Sequence, residues 1–166
     1  LGHLVFYLPK FSYIKYRINS FFEPTSKGNY QSQKATDAIV DGGFFGKGIG
    51  EGTLNTRVPE AHTDYVISVI SEEFGVLLIL LILLIFLLIV FRVFKKIPAE
   101  KKNSNKLILI GSTLLIIFQV LIHVGVNIKL LPTTGMTLPF LSYGGSSILS
   151  SSILAGLILN FTKRKM

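Results

Sequence analysis

The chain has 166 residues, 49% of them hydrophobic and only 16% charged, with a net charge of +8. Soluble domains carry about a quarter charged residues, so this composition argues for a chain embedded in lipid. The basic residues gather at the ends of apolar runs rather than on one aromatic-rich face, which argues against a nucleic-acid partner, and the absence of cysteine excludes disulfides and thiolate metal sites.

Leu1–Leu8 (LGHLVFYL) is apolar but too short to span a bilayer, and the chain begins with Leu rather than Met. It reads as the end of a truncated transmembrane helix, residues 1–8, in the C-terminal part of a longer protein. Residues 9–65 then form a long extramembrane loop. Within it, Tyr30–Asp41 places Ala35, Ala38 and Ile39 at helical spacing, which predicts a short amphipathic helix lying on the bundle or at the interface. Gly42–Gly52 (GGFFGKGIGEG) is too rich in glycine for regular structure.

Residues 66–166 are expected to be the C-terminal transmembrane helices of the same bundle. Val66–Phe91 is the strongest helical signal, and the uncharged stretch from Phe74 to Phe91 would give roughly 27 Å of helix at the α-helical rise. Arg92–Lys106 holds six basic residues against one acid. Leu107 to about Ile128 spans again, Lys129–Ser142 is a connection punctuated by Pro and Gly, and Ile148–Phe161 crosses back after starting a turn or two earlier. The expected fold class is therefore all-α, a polytopic transmembrane helix bundle. The basic loop and the tail with Lys163, Arg164 and Lys165 fall on one side, which the positive-inside rule makes cytoplasmic. The long loop and the Pro/Gly connection then face outward.

Arg57-Val-Pro-Glu-Ala-His-Thr-Asp64 leads directly into the strongest helix. A helix starting near Thr63 would put Ser68 and Ser71 on the face of Asp64, with Glu72 somewhat around, and carry a polar stripe toward the membrane. Ionisable groups near a bilayer are costly unless they face a bundle interior or cavity, so the stripe is a functional candidate. A plain reading is equally open: Thr63 or Asp64 caps the helix, while Glu72 and Glu73 reach headgroups. His62, His3 and His123 share no ligand-spaced motif, so no protein metal site is expected, and His123 reads as a polar residue facing the bundle. The glycine run lacks the strand and helix of a phosphate fingerprint, so a turn-rich connector is favoured over backbone amides that cradle a pyrophosphate with Lys47. In Leu131–Ser147, Pro132 and Pro139 deny a continuous helix, while Gly135, Gly144 and Gly145 permit tight turns at a cavity wall.

Three blocks resemble the SEDS family (shape, elongation, division and sporulation; FtsW, RodA and SpoVE), and its FtsW branch more closely than RodA. They are GGFFGKGIGEGT (Gly42–Thr53), PEAHTDYVISVISEEFG (Pro59–Gly75) and GVNIKLLPTTGMTLPFLSYGGSS (Gly125–Ser147). One departure is Thr134, where many FtsW sequences carry lysine, so no role for that lysine carries over. The resemblance implies an inner-membrane peptidoglycan glycosyltransferase of the division septum that polymerises lipid II outside the membrane and releases undecaprenyl pyrophosphate. It also implies a class B penicillin-binding transpeptidase and other division proteins as partners. This chain would supply the last helices and the catalytic loop, and would be inactive alone.

By the same resemblance Asp64, in the family's HTD motif, is the expected catalytic residue, with Glu60, His62, Arg57, Lys47, Ser68, Tyr143 and Gly144 as candidate substrate contacts. The chemistry needs a base for the attacking sugar hydroxyl and positive charge for the departing pyrophosphate; a good leaving group dispenses with a second carboxylic acid. Arg57, Lys47, Arg17, Lys129 or a divalent cation (Mg or Mn) could supply that charge. The competing readings are a lipid II flippase, though transporter sites favour broken helices at the midplane, and a scaffold for which Asp64 is replaceable.

Overall fold

The computed structural model describes residues 18, 19, 21, 22 and 27–163. The expected helix end at Leu1–Leu8, His3 and the candidate cation Arg17 lie outside them. Among the described residues all regular structure is helical: α1 (Lys27–Gly42), α2 (Leu54–Arg57), α3 (Val66–Phe74), α4 (Val76–Lys96), a 3₁₀ turn (Ile97–Ala99), α5 (Asn103–Asn127) and α6 (Gly145–Thr162). Three of the described helical segments are long and apolar enough to cross a membrane: Val76–Ala99, Asn103–Asn127 and Gly145–Thr162.

The expected single helix from Val66 to Phe91 is broken. Gly75 separates α3 from α4 with φ 85° and ψ 168°, backbone that side chains on an L-residue resist. A β-carbon at Gly75 would also overlap the carbonyl oxygen of Phe44, so glycine is needed on two counts. The break frees the first amides of α4 to bond outside the helix: Val76 N–H donates to the Gly43 carbonyl at 2.9 Å and Leu77 N–H to that of Phe44 at 3.4 Å. Apolar periodicity runs through the break unaltered, which is why it was not legible from the pattern.

At its far end α4 carries Lys95 and Lys96 in the last turn, where cations favour the helix dipole. Lys96 Nζ donates to the Thr162 carbonyl at 3.1 Å, so the ends of α4 and α6 lie together with the basic loop beside them. Ile79, Val93, Leu109, Ile116, Val120 and Ile158 belong to the core along the three spans. A second core lies under the loop, where α1 packs against α3 with Ala35 and Ala38 buried, as the helical spacing predicted. Leu54, the first residue of α2, and Val58, just after it, are buried in the same core; each burial contributes about 1.5–3 kcal/mol and fastens the loop to the bundle.

Candidate active site

Pro59–Asp64 forms a succession of turns. Thr63 and Asp64 both donate their amides to the Glu60 carbonyl, at 3.1 and 3.0 Å. The next residue, Tyr65, is fully buried, with its hydroxyl 3.3 Å from Ser32 Oγ on α1. Gln31 Nε2 of α1 donates to Glu60 Oε2 at 2.6 Å. The amphipathic helix thus braces the turn from one side.

The other side is held at three successive carbonyls. His62 C=O accepts from the Tyr143 amide at 3.0 Å, Thr63 C=O from Ser142 Oγ at 2.9 Å, and Asp64 C=O from Asn127 Nδ2 at 3.0 Å. These donors lie on the Pro/Gly connection and at the last residue of α5, so distant parts of the chain fix the path of His62-Thr63-Asp64. Ser142 Oγ also accepts the Leu138 amide at 2.8 Å, which locks the connection itself.

Asn127 uses its whole hydrogen-bonding capacity. Its Oδ1 accepts from Ser68 N and Ser68 Oγ at 3.0 and 2.8 Å, and its Nδ2 also donates to the His123 carbonyl at 2.8 Å. Tyr65, the N-cap of α3, makes no side-chain cap bond. Asn127 therefore serves the Ser68 amide of the first turn in its place. One turn below, His123 is buried, as expected, with Nδ1 3.0 Å from the Met136 carbonyl. The loop-side end of α5 thereby grips both the acidic turn and the connection.

A second polar node sits where the glycine loop meets α3. Glu72, 1% exposed, accepts the amides of Thr53 and Leu54, each at 3.0 Å, the Thr53 hydroxyl at 3.2 Å and Lys47 Nζ at 3.3 Å. Burial works to raise the Glu72 pKa, but these amides, with Lys47 and the Thr53 hydroxyl, outweigh it and hold the carboxyl below its ordinary value. Lys47 also pairs with Asp41 at 3.1 Å, and that bond leads in raising the lysine's pKa. The loop closes onto α3 through its backbone, Lys47 N–H to Glu72 C=O at 2.8 Å and Gly48 N–H to Glu73 C=O at 3.0 Å. Gly46 lies so close that a β-carbon would overlap the Glu73 carbonyl oxygen. A cavity of about 270 Å³ beside this node is lined by Lys34, Asp41, Arg57 and Glu72 among others.

The sequence candidates thus divide. Glu60, His62, Asp64, Ser68 and Tyr143 are brought together around the clamped turn, with Asp64 partly buried and the side chains of Glu60, His62 and Tyr143 exposed. Ser68 is buried and donates its hydroxyl to Asn127, which ties α3 to the end of α5. Lys47 and Arg57 belong to the second node, and Lys129 Nζ donates to Gln33 Oε1 at 2.8 Å. The polar stripe of α3 is inward and structural: Ser68 and Glu72 hold the bonds above, and Glu72 reaches no headgroup.

At Gly144 and Gly145, where tight turns are expected, the structure leaves room for a side chain. A β-carbon at Gly145 meets nothing within 4 Å, and at Gly144 only Ser147 Cβ at 3.5 Å. Gly144, at φ 164°, is extended backbone and opens α6 by accepting the Ile148 amide at 3.0 Å. The glycines whose β-carbon would overlap a backbone carbonyl oxygen are Gly42, Gly46 and Gly75. Sequence reasoning also passed over the roles of Asn127 and Ser142, because the carbonyls they bond lie far from them along the chain. Among the described residues no group of three or more His, Asp or Glu could hold a metal ion.

Among the described residues, three helices long and apolar enough to cross a membrane, with a long loop folded back onto them, mark a polytopic membrane protein whose acidic turn is bonded to the end of α5. Residues 2–166 match the FtsW/RodA/SpoVE family of cell cycle proteins, and the chain belongs to that family. It is 35% identical over 155 residues to a protein of Caulobacter vibrioides named probable peptidoglycan glycosyltransferase FtsW, covering 93% of this chain and 40% of that relative. Relatives of the same name from Enterococcus hirae and Francisella salina are each 40% identical, over 149 and 154 residues. In both, 89% of this chain is covered, against 37% and 38% of the relative. The chain therefore spans about two fifths of the length of the curated relatives it matches.

Proposed function

We propose that the full-length protein is a peptidoglycan glycosyltransferase that polymerises lipid II during cell division, with Asp64 as its general base. The observation that carries the reading is the triple clamp on His62, Thr63 and Asp64, which fixes the backbone from which the Asp64 side chain projects. A base held in one geometry pays its ordering cost on folding, before the substrate arrives. An aspartate is ordinarily ionised at neutral pH and able to accept a proton. It would take the proton of the acceptor sugar hydroxyl as the oxygen attacks the anomeric carbon and undecaprenyl pyrophosphate departs.

Charge for the pyrophosphate would come from Arg57, exposed at the end of α2, or from a divalent cation, Mg or Mn, carried in with the substrate. Assays with and without chelator, on parent and Arg57→Ala protein, distinguish these sources. The loop would face outward at the septum, beside a class B penicillin-binding transpeptidase. Against a flippase stands the position of Asp64, bonded to the end of α5, while α5 and α6 run unbroken through their spans.

The test is glycan-strand synthesis by full-length Asp64→Asn protein with its transpeptidase. Turnover should fall by about 10²- to 10⁴-fold with thermal stability retained. A stable variant that polymerises at the parental rate removes Asp64 from the chemistry.

A further inference from the structure

The tip of the glycine loop carries two adjacent aromatic side chains, Phe44 and Phe45, that are 71% and 84% exposed. Nothing about the loop is slack. Its backbone bonds α3 at Lys47 and Gly48, and bonds the first two residues of α4 at Gly43 and Phe44. Close approach at Gly46 and Gly75 leaves no room for it to shift inward. The aromatic pair is therefore presented outward by a rigid support.

Its depth is set by the same bonds. The Gly43 and Phe44 carbonyls accept the amides of Val76 and Leu77, and Val76 is the first residue of a span. Phe44 thus sits level with the first turn of a helix whose side chains Leu77, Leu80 and Leu81 are themselves about half exposed. The tip continues that apolar surface. The one cation next to it, Lys47, is held in ion pairs with Asp41 and Glu72, so its charge is neutralised beside the tip. Two exposed aromatics would be unfavourable in water, but the headgroup–acyl boundary accommodates such rings.

We propose that Phe44 and Phe45 form a membrane-interface anchor, seated among the lipids at the loop-side edge of the bilayer, which holds the loop against the membrane. The bound surface is bulk phospholipid. The proposal does not depend on the glycosyltransferase reading.

The experiment places tryptophan at each position, Phe44→Trp and Phe45→Trp, in the full-length protein reconstituted into phosphatidylethanolamine–phosphatidylglycerol vesicles. These 166 residues contain no tryptophan, so the difference from the parent reports the tip. Both exchanges are conservative and at exposed positions, which keeps folding intact. Expected are blue-shifted emission, stronger quenching by lipids brominated near the headgroup end of the acyl chain than near its terminal methyl, and weak quenching by acrylamide. Ready quenching by acrylamide with none by bromolipid would put the tip in water and overturn the anchor. Protection from both quenchers would show that protein covers the pair, and would overturn it equally.

Discussion

Replacing Asn127 by Leu isolates the device that holds the acidic turn. The side chains are similar in size, so packing changes little while all four hydrogen bonds of the amide vanish. The His123 carbonyl keeps its helical partner, and the Ser68 hydroxyl can rotate to a new acceptor. The Ser68 amide and the Asp64 carbonyl are left without Asn127. At about 1–3 kcal/mol for each of these two lost bonds the sum is about 2–6 kcal/mol, which water re-entering from the loop side lowers to about 2–4 kcal/mol of local stability lost by the turn and the start of α3. At 1.4 kcal/mol per tenfold, that is an opening equilibrium about thirtyfold to several hundredfold larger. Hydrogen–deuterium exchange on the full-length protein reads it directly: peptides covering 60–69 should exchange faster by that factor, while peptides within α6 keep their protection. Polymerisation should fall with it. Unchanged exchange across 60–69 would refute the clamp.

The glycine assignments predict opposite outcomes: Gly75→Ala should cost at least about 1–3 kcal/mol in thermal unfolding, because of positive φ and overlap with Phe44, whereas Gly145→Ala should stay within about 0.5 kcal/mol. Glu72 has a folded pKa below its ordinary 4.5, so its stabilisation is present above that value and lost as pH falls through the lowered one. The stability gap between parent and Glu72→Gln, measured by thermal unfolding across pH, should therefore be full at neutrality and narrow on acidification; a gap independent of pH contradicts it. In intact cells, a membrane-impermeant maleimide should label Glu51→Cys and spare Lys101→Cys, and the reverse pattern would invert the orientation.

The loop helix was legible because Ala35, Ala38 and Ile39 repeat at helical spacing, and Ala35 and Ala38 are among the residues that α1 buries. The third span was expected to start a turn or two ahead of Ile148, and the structure begins α6 at Gly145. The division of the first span at Gly75 was not. One glycine inside apolar sequence is compatible with a continuous helix, and only the approach of Phe44 from the loop forces the break. The hydrogen-bond partners of Ser68 and Glu72 were not legible for a related reason: periodicity gives the face a residue occupies but not its partner, and here the partners are Asn127 and the Thr53–Leu54 amides.

Sequence by itself determined the spans, because the bilayer's demand for long uncharged helices is a local property of composition. It also determined the family resemblance and singled out Asp64, since three motif blocks stand in order along the chain. Tertiary structure alone decided how Asp64 is held. Its turn is too short to fix itself, and the donors that fix it come from Asn127 and from the connection beyond α5. Hydrogen bonds act over about 3 Å whatever the separation along the chain, so only the folded arrangement of the helices could bring those groups to the same three carbonyls.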